Sequence, residues 1–293
     1  MVVLLHGLWT SSALWRDMAI GVARDNGAAL VLVPDLAGFG DSRLRDEREA
    51  WTCTPRGIVL AVRAWLQLIG VHGLPTVIVG HSYSATALLC AEDHELGRKI
   101  HRLCISPVLI FNDPTGRWKS ICMASLGQLS RLLPHAWSER LARHMFSRDS
   151  TVSRIRLDAR LAMAAAAHRV GGRRVAQFFW GMYRARPAPA EDLVRCTVVT
   201  TPDDPLVTPA DAARAIALCG IVPEQHFKLL YGGHFPQFMD DEHPEWGARN
   251  IHELVNLIDS ITGMPEDILG RRTPELLDGE TTLDASPSTE IGD

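Results

Sequence analysis

Three stretches of this 293-residue chain end apolar runs in side chains that do nucleophilic and acid–base chemistry. The run 76–79 stops at Gly80, and Gly80-His81-Ser82-Tyr83-Ser84 leads at once into a helix-forming stretch, 85–92. A serine at such an apex projects clear of a sheet, with a helix N-terminus behind it to stabilise negative charge. Serine is also a favoured N-cap, so Ser82 taken alone is equally an ordinary strand–helix turn. A neutral hydroxyl is a poor nucleophile and needs a base and an orienting acid. The run 194–200 is followed by Thr201-Pro202-Asp203-Asp204-Pro205, and 227–231 by Gly232-Gly233-His234-Phe235-Pro236. Carboxylate and imidazole therefore follow the serine in the order Ser, Asp, His, with Asp203 and Asp204 both able to orient the imidazole.

Ligands of open α/β sheets bind at the carboxyl ends of the strands, so these turns must share one sheet edge to act together. Residues 2–5 are wholly apolar, as a strand buried on both faces requires. Further strand-like runs fall at 29–33, 77–79, 99–105, 194–200 and 227–231. Helical patterns lie between and after them, at 11–26, 54–68, 209–218 and 244–261, the second opened by Thr54-Pro55. This alternation predicts an α/β fold with a mostly parallel sheet of about six strands. Between the fourth and fifth strands the rhythm changes: helical stretches at 118–133, 137–146, 153–170 and 173–184 follow one another without a strand. The expected organisation is a core over 1–111 and 191–262, a helical insertion over 112–190, and an acidic tail over 263–293 that forms no packed structure.

Hydrophobic residues make up 46% and charged residues 22%, enough apolar content for a large core. The net charge of −4 hides an asymmetry. Residues 113–190 hold fourteen Lys/Arg against four Asp/Glu, about +10, while 263–293 hold eight acidic residues and two arginines, about −6. The N-terminal apolar run is too short for a signal peptide or a membrane span. The six cysteines show no CxxC pairing and several sit in apolar runs, which implies reduced thiols, no zinc site and a cytoplasmic protein. Gly38 and Gly40 match no phosphate or dinucleotide loop, and nothing asks for a metal, an organic cofactor or nucleic acid.

The sequence resembles the α/β-hydrolase superfamily over residues 1–262. Five pieces carry the likeness: His6-Gly7 after the first strand, the loop DLAGFGDS at 35–42, GHSYS at 80–84, TPDDPLVTP at 201–209 and GGHFPQ at 232–237. The resemblance implies the α/β-hydrolase fold, with helices on both sheet faces and 112–190 as a lid. It implies Ser82 as nucleophile, His234 as general base and Asp204 as orienting acid, with Asp113, after the preceding strand, as a rarer acid position. Backbone N–H groups of Leu8 and Tyr83 would form the oxyanion hole. Two departures stand out. Ser84 replaces the glycine that usually ends the elbow, and the chain begins on the strand before His6-Gly7, where relatives often have two strands more. His81 is expected to pack or cap, and His6 to prop the oxyanion loop. The aromatics Phe178, Phe179, Trp180, Met182 and Tyr183 are expected in the lid core.

The leading expectation is a serine hydrolase acting on a carboxylic ester or thioester through an acyl-enzyme. The alternative is an acyltransferase or cyclising thioesterase whose basic lid meets coenzyme A or an acidic carrier protein. A non-enzymatic small-molecule receptor on the same fold is the third. Carbon–carbon hydrolases and hydroxynitrile lyases share the triad, whereas haloalkane dehalogenases and epoxide hydrolases carry aspartate at the elbow. The acyl group and the oligomeric state are not encoded in any motif.

Overall fold

The computed structural model describes residues 1–8, 10–25, 30–42, 51–97, 99–108, 118, 172–237 and 244–263. Six strands, β1 (Val2–Leu5), β2 (Val31–Leu32), β3 (Thr76–His81), β4 (Ile100–Ile105), β5 (Cys196–Thr200) and β6 (His226–Lys228), form one sheet. Its order is β2-β1-β3-β4-β5-β6 and every pairing is parallel. The registers Leu5↔Gly80, His81↔Ile105, Ile105↔Val199 and Thr200↔Lys228 bring the ends of β1, β3, β4, β5 and β6 to one edge.

Alternation along each strand sorts the core into two layers. Val2, Leu4, Val77, Val79, Leu103, Ile105 and Val199 face one side. There they meet Trp15, Met18 and Val22, from the 3₁₀ turn Ser12–Trp15 and helix α1 (Arg16–Asp25), and Leu254, Val255 and Ile258 of a long C-terminal helix. Val3, Leu5, Ile78, Cys104, Cys196 and Val198 face the other side. Helices α2 (Pro55–Leu68), α3 (Tyr83–Leu89), α4 (Asp93–Leu96) and α5 (Gly172–Arg184) contribute to that layer through Ile58, Leu88, Leu96 and Phe178. Burial of each such side chain contributes about 1.5–3 kcal/mol, which is why runs like VVLL commit to a two-sided sheet. Helix α6 (Pro209–Leu218) follows β5, and α7 (Pro244–Thr262) closes the described chain. As the sequence suggests, Thr54 opens α2, accepting from the amide of Gly57; Thr208 caps α6 in the same way, accepting from the amide of Asp211, with proline in each first turn.

The differences from the sequence reading lie at element ends. Strand β6 is His226–Lys228, not 227–231, because residues 229–231 already lead into the histidine turn. The fifth strand starts at Cys196: Ala190–Leu193 form a 3₁₀ turn, and the Gln225 amide holds the carbonyls of Leu193, Val194 and Cys196. Helix α3 begins at Tyr83 rather than at residue 85, since only Ser82 is needed to reverse the chain, and it stops at Leu89. Of the four helices expected in the insertion, 173–184 is α5, whereas 119–133, 137–146 and 153–170 lie outside the described residues, as do Asp113 and residues 264–293.

Candidate active site

Ser82 sits between β3 and α3 with φ 54° and ψ −111°, a left-handed backbone that a residue with a Cβ rarely adopts. Two close contacts impose it. A Cβ on Gly80 would lie 2.8 Å from the amide N of Ala85 and 2.9 Å from the carbonyl carbon of Ser84, so α3 packs onto β3 at a distance that only glycine permits. Ser84, where the superfamily usually has glycine, fits because its hydroxyl is used: Oγ donates to the Leu5 carbonyl at 2.8 Å and accepts from the His81 amide at 3.0 Å. That hydroxyl ties β1 to the elbow. The Ser82 amide donates to the Ile105 carbonyl at 2.9 Å, fixing the elbow to β4 as well.

The three side chains of the expected triad meet in space. The Ser82 hydroxyl lies 2.8 Å from His234 Nε2, and His234 Nδ1 lies 2.9 Å from Asp204 Oδ2. All three residues are buried, Ser82 being 8% exposed. The other Asp204 oxygen accepts from the amides of Leu206 and Val207 at 2.8 and 3.0 Å. Burial raises the Asp204 pKa, but its hydrogen bond and charge interaction with His234 and the two amides outweigh this, so the net shift is downward and the group is a carboxylate. Asp203, the other acid the sequence offered, takes a different place. Its carboxylate accepts from the amides of Gly233 at 3.0 Å and Gly232 at 3.3 Å, holding the turn rather than the imidazole. Thr201 Oγ1 donates to the Gly233 carbonyl and the Asn250 amide to that of Tyr231, at 2.6 and 3.1 Å. The sequence reading did not find Thr201 or Asn250, and Asn250 carries no local signal of such a role.

The loop after β1 lies against the elbow. A Cβ on Gly7 would stand 3.2 Å from Ser82 Cβ and 2.9 Å from His81 Nδ1, so this approach again needs glycine. His6 Nδ1 and Thr10 Oγ1 both donate to the Gly7 carbonyl at 2.8 Å, while His6 Nε2 accepts from the Leu36 amide at 2.9 Å. No peptide here is cis among the described residues, and in a trans peptide N–H and C=O point opposite ways. Holding the Gly7 carbonyl back toward His6 and Thr10 therefore turns the Leu8 N–H the other way. Tyr83 is the first residue of α3, so its N–H has no carbonyl one turn earlier in the helix. Its phenol donates to the Cys53 carbonyl at 2.8 Å, with the Phe178 carbonyl at 3.3 Å, which binds the elbow to the loop before α2 and to α5. Phe178 is fully buried as expected of a packing aromatic, whereas Trp180 is 41% exposed beside Tyr183 and Arg184.

Among the described residues no group of three or more His, Cys, Asp or Glu could hold a metal ion, and no described helix is long and apolar enough to cross a membrane. Cys53, Cys90, Cys104, Cys196 and Cys219 are in the thiol form, not in disulfides, among the described residues.

Two outcomes follow from these contacts. Asp204→Asn should slow reaction of Ser82 with a fluorophosphonate by about 10³–10⁴-fold, as loss of the orienting carboxylate does in other triads. Asp203→Asn keeps one acceptor for the two glycine amides and should slow it about tenfold; an Asp203 effect equal to that of Asp204 contradicts the division of labour. The second outcome concerns acid stability. Burial lowers the pKa of His6 to about 4 and of His81 and His101 to about 3. Above about pH 6.5 each is neutral in both folded and unfolded chains. Below it the unfolded chain takes up protons that the folded chain refuses, so stability falls with pH until the folded values near 3–4 are reached. Each imidazole adds a slope of about 1.4 kcal/mol per pH unit inside that window. The Tm should therefore drop steadily from pH 6.5 to pH 4.5, and a flat profile would show that these imidazoles are accessible.

The sequence of this chain matches the Alpha/beta hydrolase family over residues 2–249. No curated protein matches it by sequence. Among solved structures it resembles a thermophilic esterase from Thermogutta terrifontis, at 18% identity and a TM-score of 0.60, with 88% of this chain covering 90% of that one. It also resembles a hydrolase from Pseudomonas aeruginosa PA01, at 13% identity and a TM-score of 0.61, with 90% and 89% covered. A monoacylglycerol lipase from Paleococcus ferrophilus is similar at 18% identity and a TM-score of 0.56, with 88% and 93% covered. At these identities the structures speak to the fold alone; the sequence match extends over most of the chain, and the protein belongs to the alpha/beta hydrolase family.

Proposed function

We propose that this protein is a serine hydrolase that cleaves a carboxylic ester or thioester of a small or medium acyl group through an acyl-enzyme on Ser82. The observation that carries the reading is the buried Ser82–His234–Asp204 hydrogen-bond chain at a backbone-strained elbow. Ser82 Oγ attacks the acyl carbonyl carbon as its proton passes to His234 Nε2. Asp204 holds Nδ1–H and stabilises the imidazolium that forms. The Leu8 and Tyr83 N–H groups receive the developing oxyanion, a contribution that is often the largest single one. His234 then gives its proton to the departing alkoxide or thiolate, and water, deprotonated by the same imidazole, releases the acid. That the Thermogutta protein is an esterase and the Paleococcus protein a lipase supports this reaction class. Cysteines in the thiol form support a reducing, cytoplasmic setting.

A second reading rests on the charge of about +10 in residues 113–190. If those residues form a lid over Ser82, their potential favours an acyl group delivered as a thioester of coenzyme A or of an acidic carrier protein, with transfer to an alcohol or amine as an alternative to hydrolysis. An intact hydrogen-bond chain argues against a purely ligand-binding protein.

A fluorophosphonate probe should label the wild type and leave Ser82→Ala unlabelled, and Ser82→Ala should lower turnover of p-nitrophenyl esters by several orders of magnitude while the protein stays folded. Activity of Ser82→Ala within tenfold of wild type would remove the nucleophile assignment. The two readings separate by salt. With a Debye length of about 8 Å at physiological ionic strength, kcat/KM for an acyl-coenzyme A should fall steeply as salt rises, while that for a neutral ester of the same acid should hold. Charge reversal at Arg173 and Arg174 should reproduce the high-salt behaviour at low salt. Equal salt dependence for both substrates leaves plain esterase as the reading.

A further inference from the structure

His81 precedes the nucleophile in sequence, and its side chain reaches the residue that deprotonates it. Its Nε2–H donates to the backbone carbonyl of His234 at 2.7 Å, a bond that spans 153 positions of sequence. Because Nε2 carries the proton, Nδ1 bears the lone pair, and that atom finds no hydrogen-bond partner among the described residues. It lies instead against the backbone of Gly7, where an added Cβ would come within 2.9 Å. The ring contacts those of His234 and Phe235, with centroids at 5.1 and 4.8 Å, and is 1% exposed. The elbow, the loop carrying Leu8 and the turn carrying His234 thus meet on one imidazole. Packing alone would be served by an apolar side chain, and would leave no donor placed on a carbonyl.

The bond matters most at one stage of the proposed reaction. Ser82 and His234 are tied directly by the hydroxyl proton, at 2.8 Å. Once Oγ is acylated it has no proton to donate, and after the leaving group has taken the proton from Nε2 the imidazole has none to give back along that line. The direct tie is then gone, and the base must stay in place to activate water. The His81 bond involves neither Oγ nor the His234 ring nitrogens, so acylation does not touch it. Resting on the reading of Ser82 as nucleophile, we propose that His81 is a positioning residue that holds the His234 turn to the nucleophile elbow and keeps the general base in register with Ser82 in the acyl-enzyme, so that its chief effect is on deacylation.

Glutamine and leucine substitutions separate this from packing. The Gln amide nitrogen is the same number of bonds from Cα as His Nε2 and can donate to the same carbonyl, whereas Leu fills space without a donor. A displacement of about 1 Å can cost about 10²-fold in rate. With p-nitrophenyl acetate, His81→Leu should keep a burst of p-nitrophenol, with kcat lowered about 10²-fold, KM lowered with it, and kcat/KM and fluorophosphonate labelling lowered by no more than about tenfold. His81→Gln should return kcat to within about threefold of wild type. The proposal is overturned if His81→Leu turns over within threefold of wild type, if Gln is as slow as Leu while both melt near the wild-type temperature, or if kcat and labelling fall in equal proportion. Should His81→Leu fail to fold, His81→Asn, polar but one bond too short, takes its place with the same outcomes. Failure of the underlying reading looks different: wild type would then go unlabelled, or Ser82→Ala would be labelled, whatever residue 81 is.

Discussion

At Ser82 the backbone holds φ 54° and ψ −111°, a conformation of a kind that costs about 1–3 kcal/mol and persists only where the surroundings over-determine it. Here they do so from three sides. The contact of α3 with β3 at Gly80 sets how sharply the chain must turn. Ser84 fastens the turn to β1 through the Leu5 carbonyl, and the Ser82 amide fastens it to β4 through Ile105. The central strands are therefore more than a platform. Their register, His81 beside Ile105 and Gly80 beside Leu5, decides where the strained residue stands relative to every other turn at that edge.

His234 is secured by a different logic. Its turn begins with two glycines, which favour no single conformation, so order has to come from outside. Side chains from three separate segments supply it: Asp203 and Thr201 from the loop after β5, Asn250 from α7, and His81 from β3. The adjacent carboxylates Asp203 and Asp204 thus act on the same turn at two levels, one on its backbone and one on its imidazole. Two acids in sequence would otherwise repel across one histidine; pointing them at different atoms gives each its own donors.

Local pattern made much of this legible. Apolar runs such as VVLL and the Thr-Pro starts of α2 and α6 are determined by neighbours in sequence, and they appear where the pattern puts them. The elbow, too, was readable, because glycine, serine and a helix-forming run are contiguous. The family resemblance alone pointed to Asp204, the one found at 2.9 Å from His234; which aspartate meets the imidazole was not legible from local pattern, since Asp203 and Asp204 differ only in what lies about thirty residues away in sequence. The same holds for His81. As a residue inside an apolar strand it reads as packing, and only the return of the chain at His234 gives its Nε2–H an acceptor. The short β6 has a related cause: its last residues leave the sheet to build the histidine turn, a choice that β-propensity in 227–231 does not record.

Three imidazoles, His6, His81 and His234, lie in or beside the turns that meet at Ser82, and their environments differ. Burial lowers the pKa values of His6 and His81 to about 4 and about 3, outweighing the charges of Asp35 and Asp204 that act the other way, so both stay neutral donors of fixed tautomer. A charge on His81 would also be opposed by one on His234, whose ring lies 5.1 Å away. His234 alone has an ionised carboxylate at 2.9 Å and an open lone pair toward Ser82. In the proposed reaction a proton leaving the serine would therefore have one favourable destination, and the cation it created would form where its counter-charge already stands. Keeping the neighbouring imidazoles neutral would thus be part of the electrostatics of the proposed base: the low-dielectric interior that would penalise a second cation would strengthen the attraction between the first and Asp204.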